Sequence, residues 1–102
     1  MPFQHISCEQ LSNWFEEKPD SINIIDIRDR ASFEDGHIHS AEHIDNSNVN
    51  DFVSKSDKTQ PLIVCCYHGN SSQGAADYFS NEGFLETYSL DGGYERWKTL
   101  FA

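Results

Sequence analysis

Two short apolar runs constrain the fold of this chain more than any other feature. The segments SINIIDI (residues 21–27) and PLIVCC (residues 61–66) carry apolar residues at consecutive positions rather than only at alternate ones. Strands that are buried on both faces have this pattern, and they occur in parallel sheets that helices cover on both sides. The chain is therefore expected to fold as an α/β domain with a mostly parallel central sheet and helices on both faces.

Shorter strand and helix candidates alternate around these two runs. Further strands are predicted at FQHI, AEHI and ETYSL, and helices at SCEQLSNWFEE, residues 31–34, VNDFVSKS, residues 71–82 and GYERWKTLF. Ser7 and Gln10 are spaced as a capping box at the start of the first helix. Gly36 and Gly83 are expected to end two of the later helices. This alternation is typical of a parallel sheet built from crossover units.

Length and charge limit the classes of function. A chain of 102 residues is expected to form a single domain, residues 1–102, around one core. Its 7 basic and 17 acidic residues give a net charge of -10, which disfavours nucleic acid and anionic membranes as partners.

Cysteine usage and the first residues predict the compartment. Cys8, Cys65 and Cys66 are odd in number and do not have the spacing of a disulfide framework, so a reducing environment is favoured. The start MPFQHISCEQ lacks the pattern of a signal peptide, and no apolar run approaches the roughly 20 residues of a membrane helix. A cytoplasmic location is therefore expected.

Three polar segments directly follow strand candidates. They are DIRD, CYHGNSS and DGGYERW. In open parallel sheets, ligands bind beyond the carboxyl ends of the strands, where loops and helix N-termini converge. We expect the three segments to share one edge of the sheet.

The segment VCCYHGNSSQGAA places a cysteine between a strand and the start of a helix. Cys66 occupies this place, and the positive end of a helix favours a thiolate there. Gly69 allows successive N–H groups to turn inward, and Asn70, Ser71 and Ser72 can cap the helix and add donors. Cys65 is expected on the opposite face of the strand, buried as a small apolar residue. An inert, buried Cys66 remains the alternative.

Three motifs resemble those of the single-domain rhodaneses, which are thiosulfate sulfurtransferases. CYHGNSS resembles their active-site loop, IDIRDRASFEDGHIHSAEHI their upstream motif with an Asp-x-Arg and a Gly-His-Ile, and LDGGYERW their downstream Gly-Gly-x-x-x-Trp motif. The three occur in the right order and spacing, and the similarity covers nearly the whole chain. A rhodanese-like domain is the fold that this resemblance implies.

The resemblance implies a double displacement at Cys66. Its thiolate would take the outer sulfur of thiosulfate as a persulfide, release sulfite, and pass the sulfur to cyanide or to a dithiol such as thioredoxin. No metal or organic cofactor is expected. Loop amides from about Tyr67 to Ser71 would stabilise the thiolate and the persulfide. The substrate-binding loop would comprise Tyr67, His68, Gly69, Asn70, Ser71 and Ser72, with Asp26 and Arg28 as a supporting charge network.

One departure from the family concerns the charge of the loop. Many rhodaneses place an arginine directly after the nucleophile or at the end of the loop, whereas CYHGNSS contains neither Lys nor Arg. Tyr67, His68, Asn70 and the serines would then hold the anion as neutral donors, unless His68 is protonated, so we predict weak thiosulfate binding at neutral pH. Related folds that hydrolyse phosphate esters or reduce arsenate use a Cys-x5-Arg loop. Ser72 stands where that arginine would be, so phosphatase activity is not expected.

Two classes of function remain from the sequence. The first is a thiosulfate sulfurtransferase. The second is a sulfur-carrier or binding module that a persulfidated partner protein loads instead of thiosulfate. His37, His39 and His43 match no metal-ligand spacing, and the Gly-His-Ile resemblance implies that His37 is a packing residue, so no metal site is predicted.

Overall fold

The computed structural model of the chain describes residues 3–101. Strands and helices alternate along this range as the sequence predicts. The strands are β1 (Gln4–Ile6), β2 (Asn23–Asp26), β3 (Glu42–His43), β4 (Leu62–Cys65) and β5 (Thr87–Leu90). The helices are α1 (Cys8–Glu17), α2 (Arg30–Asp35), α3 (Val49–Lys55), α4 (Ser71–Asn81) and α5 (Gly93–Phe101). A single 3-10 turn at Pro19–Ser21 was not predicted, because one turn of helix leaves no periodicity in the sequence.

The strands form a five-stranded sheet in the order β1-β5-β4-β2-β3. All pairings between these described strands are parallel. The two apolar runs become β2 and β4, which lie next to each other with Asp26 opposite Cys65. The prediction of a mostly parallel sheet is confirmed, and the two runs lie where burial on both faces requires them.

Helices cover both faces of the sheet, and β4 contributes to both cores. Ile63 and Cys65 pack with residues of α1 and α5 in one cluster. Leu62 and Val64 pack with residues of α3 and α4 in the other. This alternation follows from the period of two along a strand. Cys65 thus lies in the core, as its position in the strand predicts.

Local signals fix two helix ends. Ser7 Oγ accepts the backbone N–H of Gln10 at 3.1 Å, and Ser7 N–H donates to Gln10 Oε1 at 3.1 Å, which completes the predicted capping box. Gly83 follows the end of α4 with a φ of +106°, a conformation that glycine adopts without strain. No helix within residues 3–101 is both long and apolar enough to span a bilayer.

The three polar segments meet at the carboxyl edge of the sheet, as predicted. The Tyr94 N–H of the segment after β5 donates to the Cys66 carbonyl at 2.8 Å. The Asp29 N–H of the segment after β2 donates to the Tyr67 hydroxyl at 3.4 Å. The loop that carries Cys66 is therefore held between the segments that follow its two neighbouring strands.

Candidate active site

Cys66 directly follows β4 and lies at the floor of a small depression. Only 3% of the residue is exposed. The depression has a volume of about 120 Å³, and Tyr67, His68, Asn70 and Ser71 line it together with Cys66. A small molecule or a thin side chain can therefore approach the sulfur through the mouth of this loop.

Three hydrogen-bonding groups converge on the sulfur of Cys66. The backbone N–H groups of Gly69 and Ser72 each donate to Sγ at 3.2 Å. Ser72 Oγ lies 3.3 Å from the same atom. Hydrogen bonds that point at the charged form of a group favour that form, so the two N–H groups favour a thiolate. The loop also precedes the positive end of α4, which acts in the same direction. In the thiol form the sulfur itself donates to Ser72 Oγ.

The structure assigns the donors differently from the sequence interpretation. The amide of Ser72, outside the range expected to stabilise the sulfur, is one of the two that bind it. Asn70 precedes α4 but makes no capping bond, because its backbone is already helical rather than extended. The N–H of the second helical residue, which a cap would take, instead donates to Cys66 Sγ. The sulfur itself thus caps α4.

Ser89 is a neighbour of the site that sequence reasoning missed. It lies on β5 with no exposed surface, and its Oγ is 2.7 Å from Ser72 Oγ. Its signal in the sequence is the alternation of TYSL, which turns Thr87 and Ser89 to one face of the strand and Tyr88 and Leu90 to the other. This alternation predicts that the Ser89 hydroxyl faces the same side of the sheet as Thr87, but it does not identify the residue that the hydroxyl binds.

The start of α5 holds the backbone of the loop in place. The N–H groups of Tyr94 and Glu95 donate to the carbonyls of Cys66 and Tyr67, at 2.8 Å and 3.1 Å. Gly93 comes so close that a Cβ on it would lie 2.5 Å from each of these carbonyl oxygens. Because the carbonyls are bound by α5, the loop presents its N–H groups to the sulfur instead.

Asp26 and Arg28 form a buried ion pair beside the loop. Arg28 Nη2 donates to Asp26 Oδ2 at 2.7 Å, and the Arg28 backbone N–H donates to Oδ1 at 2.9 Å. Nη2 also donates to the carbonyl of Gly36 at 2.7 Å. Burial works against the charge of Arg28, but the hydrogen bonds and charge of Asp26 outweigh it, and the pKa of Arg28 is raised.

The guanidinium of Arg28 contacts the loop through aromatic rings. Its Cζ lies 4.3 Å from the centre of the Tyr94 ring and 5.9 Å from that of Tyr67. Arg28 therefore packs behind the loop and has its charge paired. This placement agrees with the supporting position that the motif implies.

Tyr67 links the loop to the start of α2. Its hydroxyl donates to the carboxylate of Asp29 and lies 3.4 Å from Ser32 Oγ. Asp29 caps α2 by accepting the N–H of Ser32 at 3.0 Å. The side chain of Tyr67 is 39% exposed, so it forms part of the rim of the depression.

The other two cysteines are buried and held in the thiol form. Burial is the main cause that raises the pKa of Cys65 well above its usual value, and the charge of Asp26 adds to it. Burial likewise raises the pKa of Cys8. Because a thiolate is the reactive form, neither is a competitor for Cys66 near neutral pH.

Two of the three histidines that invited a metal interpretation, His37 and His43, make other contacts. His37 is exposed and stacks on Phe33, with ring centres 3.9 Å apart. His43 is buried, and its Nε2 hydrogen-bonds to the Arg28 carbonyl at 2.6 Å. Among residues 3–101, no group of three or more His, Cys, Asp or Glu is placed to hold a metal ion.

A cysteine cradled between a parallel strand and a helix N-terminus, with an Asp–Arg pair behind it, defines a class of α/β proteins. The chain belongs to the rhodanese-like family, since the Rhodanese-like domain matches residues 7–100. The resemblance drawn from the three motifs is thereby confirmed.

Similar proteins narrow the class further. The chain is 48% identical over 99 residues to a protein named Thiosulfate sulfurtransferase GlpE from Pseudomonas aeruginosa, covering 97% of this chain and 87% of that protein. It is 47% identical over 95 residues to a protein of the same name from Shewanella oneidensis, covering 93% and 92%. The crystal structure of the Alr3790 protein from Anabaena sp. superimposes with a TM-score of 0.84 at 26% identity, covering 95% and 78%.

Proposed function

We propose that this chain is a thiosulfate sulfurtransferase with Cys66 as its nucleophile. The observation that carries the proposal is the sulfur at the floor of an open depression, with two N–H groups at 3.2 Å and a hydroxyl at 3.3 Å. The names of the similar proteins from Pseudomonas aeruginosa and Shewanella oneidensis support it. The free cysteines favour a reducing, cytoplasmic location for a single-domain enzyme.

The first half-reaction loads the enzyme with sulfur. The Cys66 thiolate attacks the outer sulfur of thiosulfate, the S–S bond of thiosulfate breaks, and its electron pair leaves with sulfite. The new S–S bond is the persulfide. The N–H groups of Gly69 and Ser72 are in place before the reaction, so they stabilise the anionic sulfur without reorganising.

The second half-reaction unloads the enzyme. Cyanide attacks the outer sulfur of the persulfide and leaves as thiocyanate, and the electron pair of the broken S–S bond restores the Cys66 thiolate. A dithiol such as thioredoxin does the same in two steps, becoming a disulfide and releasing hydrosulfide. Neither half-reaction requires a metal or an organic cofactor.

The mouth of the depression sets the affinity for the donor. Tyr67, His68, Asn70 and Ser71 line it, and none of them carries a permanent positive charge. Arg28 lies behind the loop, where Asp26 pairs its charge. Thiosulfate should therefore bind weakly at neutral pH, and a dissociation constant in the low micromolar range would contradict this reading of the loop.

The absence of Lys and Arg from the residues that line the mouth favours a second candidate function. A carrier that receives sulfur from a persulfidated partner protein needs no positively charged residue to bind a small dianion, because the partner's own surface supplies the binding energy. Thiosulfate would then be a slow substitute for the natural donor. Turnover with thiosulfate as the sole sulfur donor and cyanide as the acceptor distinguishes the enzyme from the carrier.

The experiment measures intact protein mass after incubation with thiosulfate and removal of the excess. The wild type and Cys65→Ser should each gain the mass of one sulfur atom, and Cys66→Ser should gain none. Sulfur on Cys66→Ser would overturn the assignment of the nucleophile. No gain in any variant would remove thiosulfate as the donor, and loading by a persulfidated protein would then be measured in the same way.

A further inference from the structure

The hydroxyl of Ser89 is fully buried, and burying a hydroxyl costs free energy. The residue has no exposed surface, and within residues 3–101 its hydroxyl has one hydrogen-bond partner, Ser72 Oγ at 2.7 Å. Ser72 is equally buried, and its Oγ lies 3.3 Å from the sulfur of Cys66. A buried hydroxyl is unfavourable unless its hydrogen bonds are made. The two serines and the sulfur therefore form one chain of three groups inside the protein.

We propose that Ser89 is a positioning residue for the sulfurtransferase reaction. Its hydroxyl donates to Ser72 Oγ, and this directs the proton of Ser72 toward Cys66 Sγ. The inference rests on the proposed function in that Cys66 is the nucleophile. It adds that Ser89, on the strand β5 that does not carry the Cys66 loop, contributes to stabilising the thiolate.

The number of protons shared by Ser89, Ser72 and Cys66 determines which form of the cysteine their hydrogen bonds favour. When Cys66 is a thiolate, Ser89 donates to Ser72 and Ser72 donates to the sulfur, so both hydroxyl protons and the anion are satisfied. When Cys66 is a thiol, three protons share the two hydrogen bonds of this chain, so one proton is left buried without an acceptor among the three groups. An unmade hydrogen bond of this kind is costly. The pair of serines therefore favours the thiolate.

Cooperativity strengthens the effect. A hydroxyl that accepts a hydrogen bond becomes a stronger donor, and this polarisation is larger in a buried, low-dielectric site. Ser72 alone would still donate to Cys66, but more weakly. Ser89 thus acts through Ser72 and does not touch the reacting atoms.

The same strand supplies a matched control. Thr87 lies two residues before Ser89 on the same face of β5 and is also buried, at 3% exposed. Its Oγ1 has no hydrogen-bond partner in the part of the chain that the structure describes. Thr87→Val therefore removes a buried hydroxyl from the same strand face without altering the hydrogen bonds that join Ser89, Ser72 and Cys66.

The test is the pH dependence of alkylation of Cys66 by iodoacetamide, with no thiosulfate present. The alkylation rate follows the thiolate fraction. Relative to the wild type, the midpoint of the profile should move up by about one pH unit in Ser72→Ala, which loses a hydrogen bond to a charged group. In Ser89→Ala the midpoint should move up by about half as much. In Ser89→Thr, which keeps the hydroxyl, the midpoint should lie close to that of the wild type. Thr87→Val should leave it unchanged.

A merely structural Ser89 gives a different pattern. In that case Ser89→Ala would lower the midpoint of urea unfolding while its alkylation profile coincided with that of Thr87→Val, and the proposal would be overturned. The thiolate absorbance in the ultraviolet, with Cys66→Ser as the blank, gives an independent titration. Sulfur loading of the wild type is measured separately, so failure of the sulfurtransferase assignment is distinguishable from failure of the role of Ser89.

Discussion

Gly93→Ala is expected to destabilise the protein because α5 begins against the backbone of the active-site loop. Gly93 has a φ of +60°, and a Cβ there would lie 2.5 Å from the carbonyl oxygens of both Cys66 and Tyr67. Real Cβ contacts are essentially never shorter than 3.0 Å, so both oxygens or α5 must move by about 0.5 Å. Left-handed strain in a residue with a side chain costs about 1–3 kcal/mol, and overpacking costs a similar amount.

Together these effects predict that the free energy of unfolding falls by about 2–6 kcal/mol, a large part of the stability of a small domain. The measurement is urea denaturation of the purified variant. Sulfur loading, measured by mass under conditions where Gly93→Ala is still folded, should also slow down. The displaced carbonyls of Cys66 and Tyr67 would disturb the N–H groups that face the sulfur.

Gly74→Ala is the matched control for this prediction. Gly74 lies inside α4, and a Cβ there meets no atom within 4 Å. Alanine is the better helix former, so this variant should be more stable by about 0.5–1 kcal/mol. The reasoning is refuted if the unfolding free energy of Gly93→Ala lies within about 0.5 kcal/mol of the wild type. It is equally refuted if both variants lose the same amount.

Three further predictions concern charge and accessibility. Asp26→Ala leaves the buried guanidinium of Arg28 unpaired and should lower the unfolding free energy by about 3–5 kcal/mol in urea denaturation. Iodoacetamide at neutral pH should add one group to the native protein, at Cys66, and three after unfolding, counted by mass. Hydrogen bonds from Ser32 lower the pKa of Asp29, so its contribution to stability is present above its unfolded pKa of about 3.9 and is lost as the pH falls through the folded value. Urea midpoints from pH 2 to 6 should therefore vary less in Asp29→Asn than in the wild type.

Most of the fold could be predicted because its signals are local. Consecutive apolar residues require strands buried on both faces, and the helices between them require parallel connections. Caps such as Ser7 with Gln10 lie within four residues of each other, so they are readable from the sequence. The 3-10 turn at Pro19–Ser21 was not predicted, because a three-residue turn is too short to leave a periodic pattern of apolar residues.

The site could be predicted only where its chemistry is carried by neighbours in the chain. Cys66 and Gly69 belong to one loop, and their relation follows from the strand–loop–helix order. Ser89 is 17 positions from Ser72, and only the pairing of β5 with β4 brings the two hydroxyls together. Asn70 makes no capping bond because its backbone is already helical. The N–H groups that meet the sulfur belong to the loop and the start of α4, whereas the hydroxyl that meets Ser72 comes from β5.

These contacts act on the sulfur of Cys66 rather than on the donor. The groups that bind the Cys66 sulfur are two N–H groups and a hydroxyl, and all three act at a distance of 3.2–3.3 Å. Such dipoles stabilise a single anionic sulfur well, but they reach little further. A dianion such as thiosulfate also carries charge on its oxygens, and the residues that line the mouth include neither Lys nor Arg. The groups shown here therefore act on the Cys66 sulfur and leave the donor unspecified, so the identity of the donor depends on contacts outside the loop.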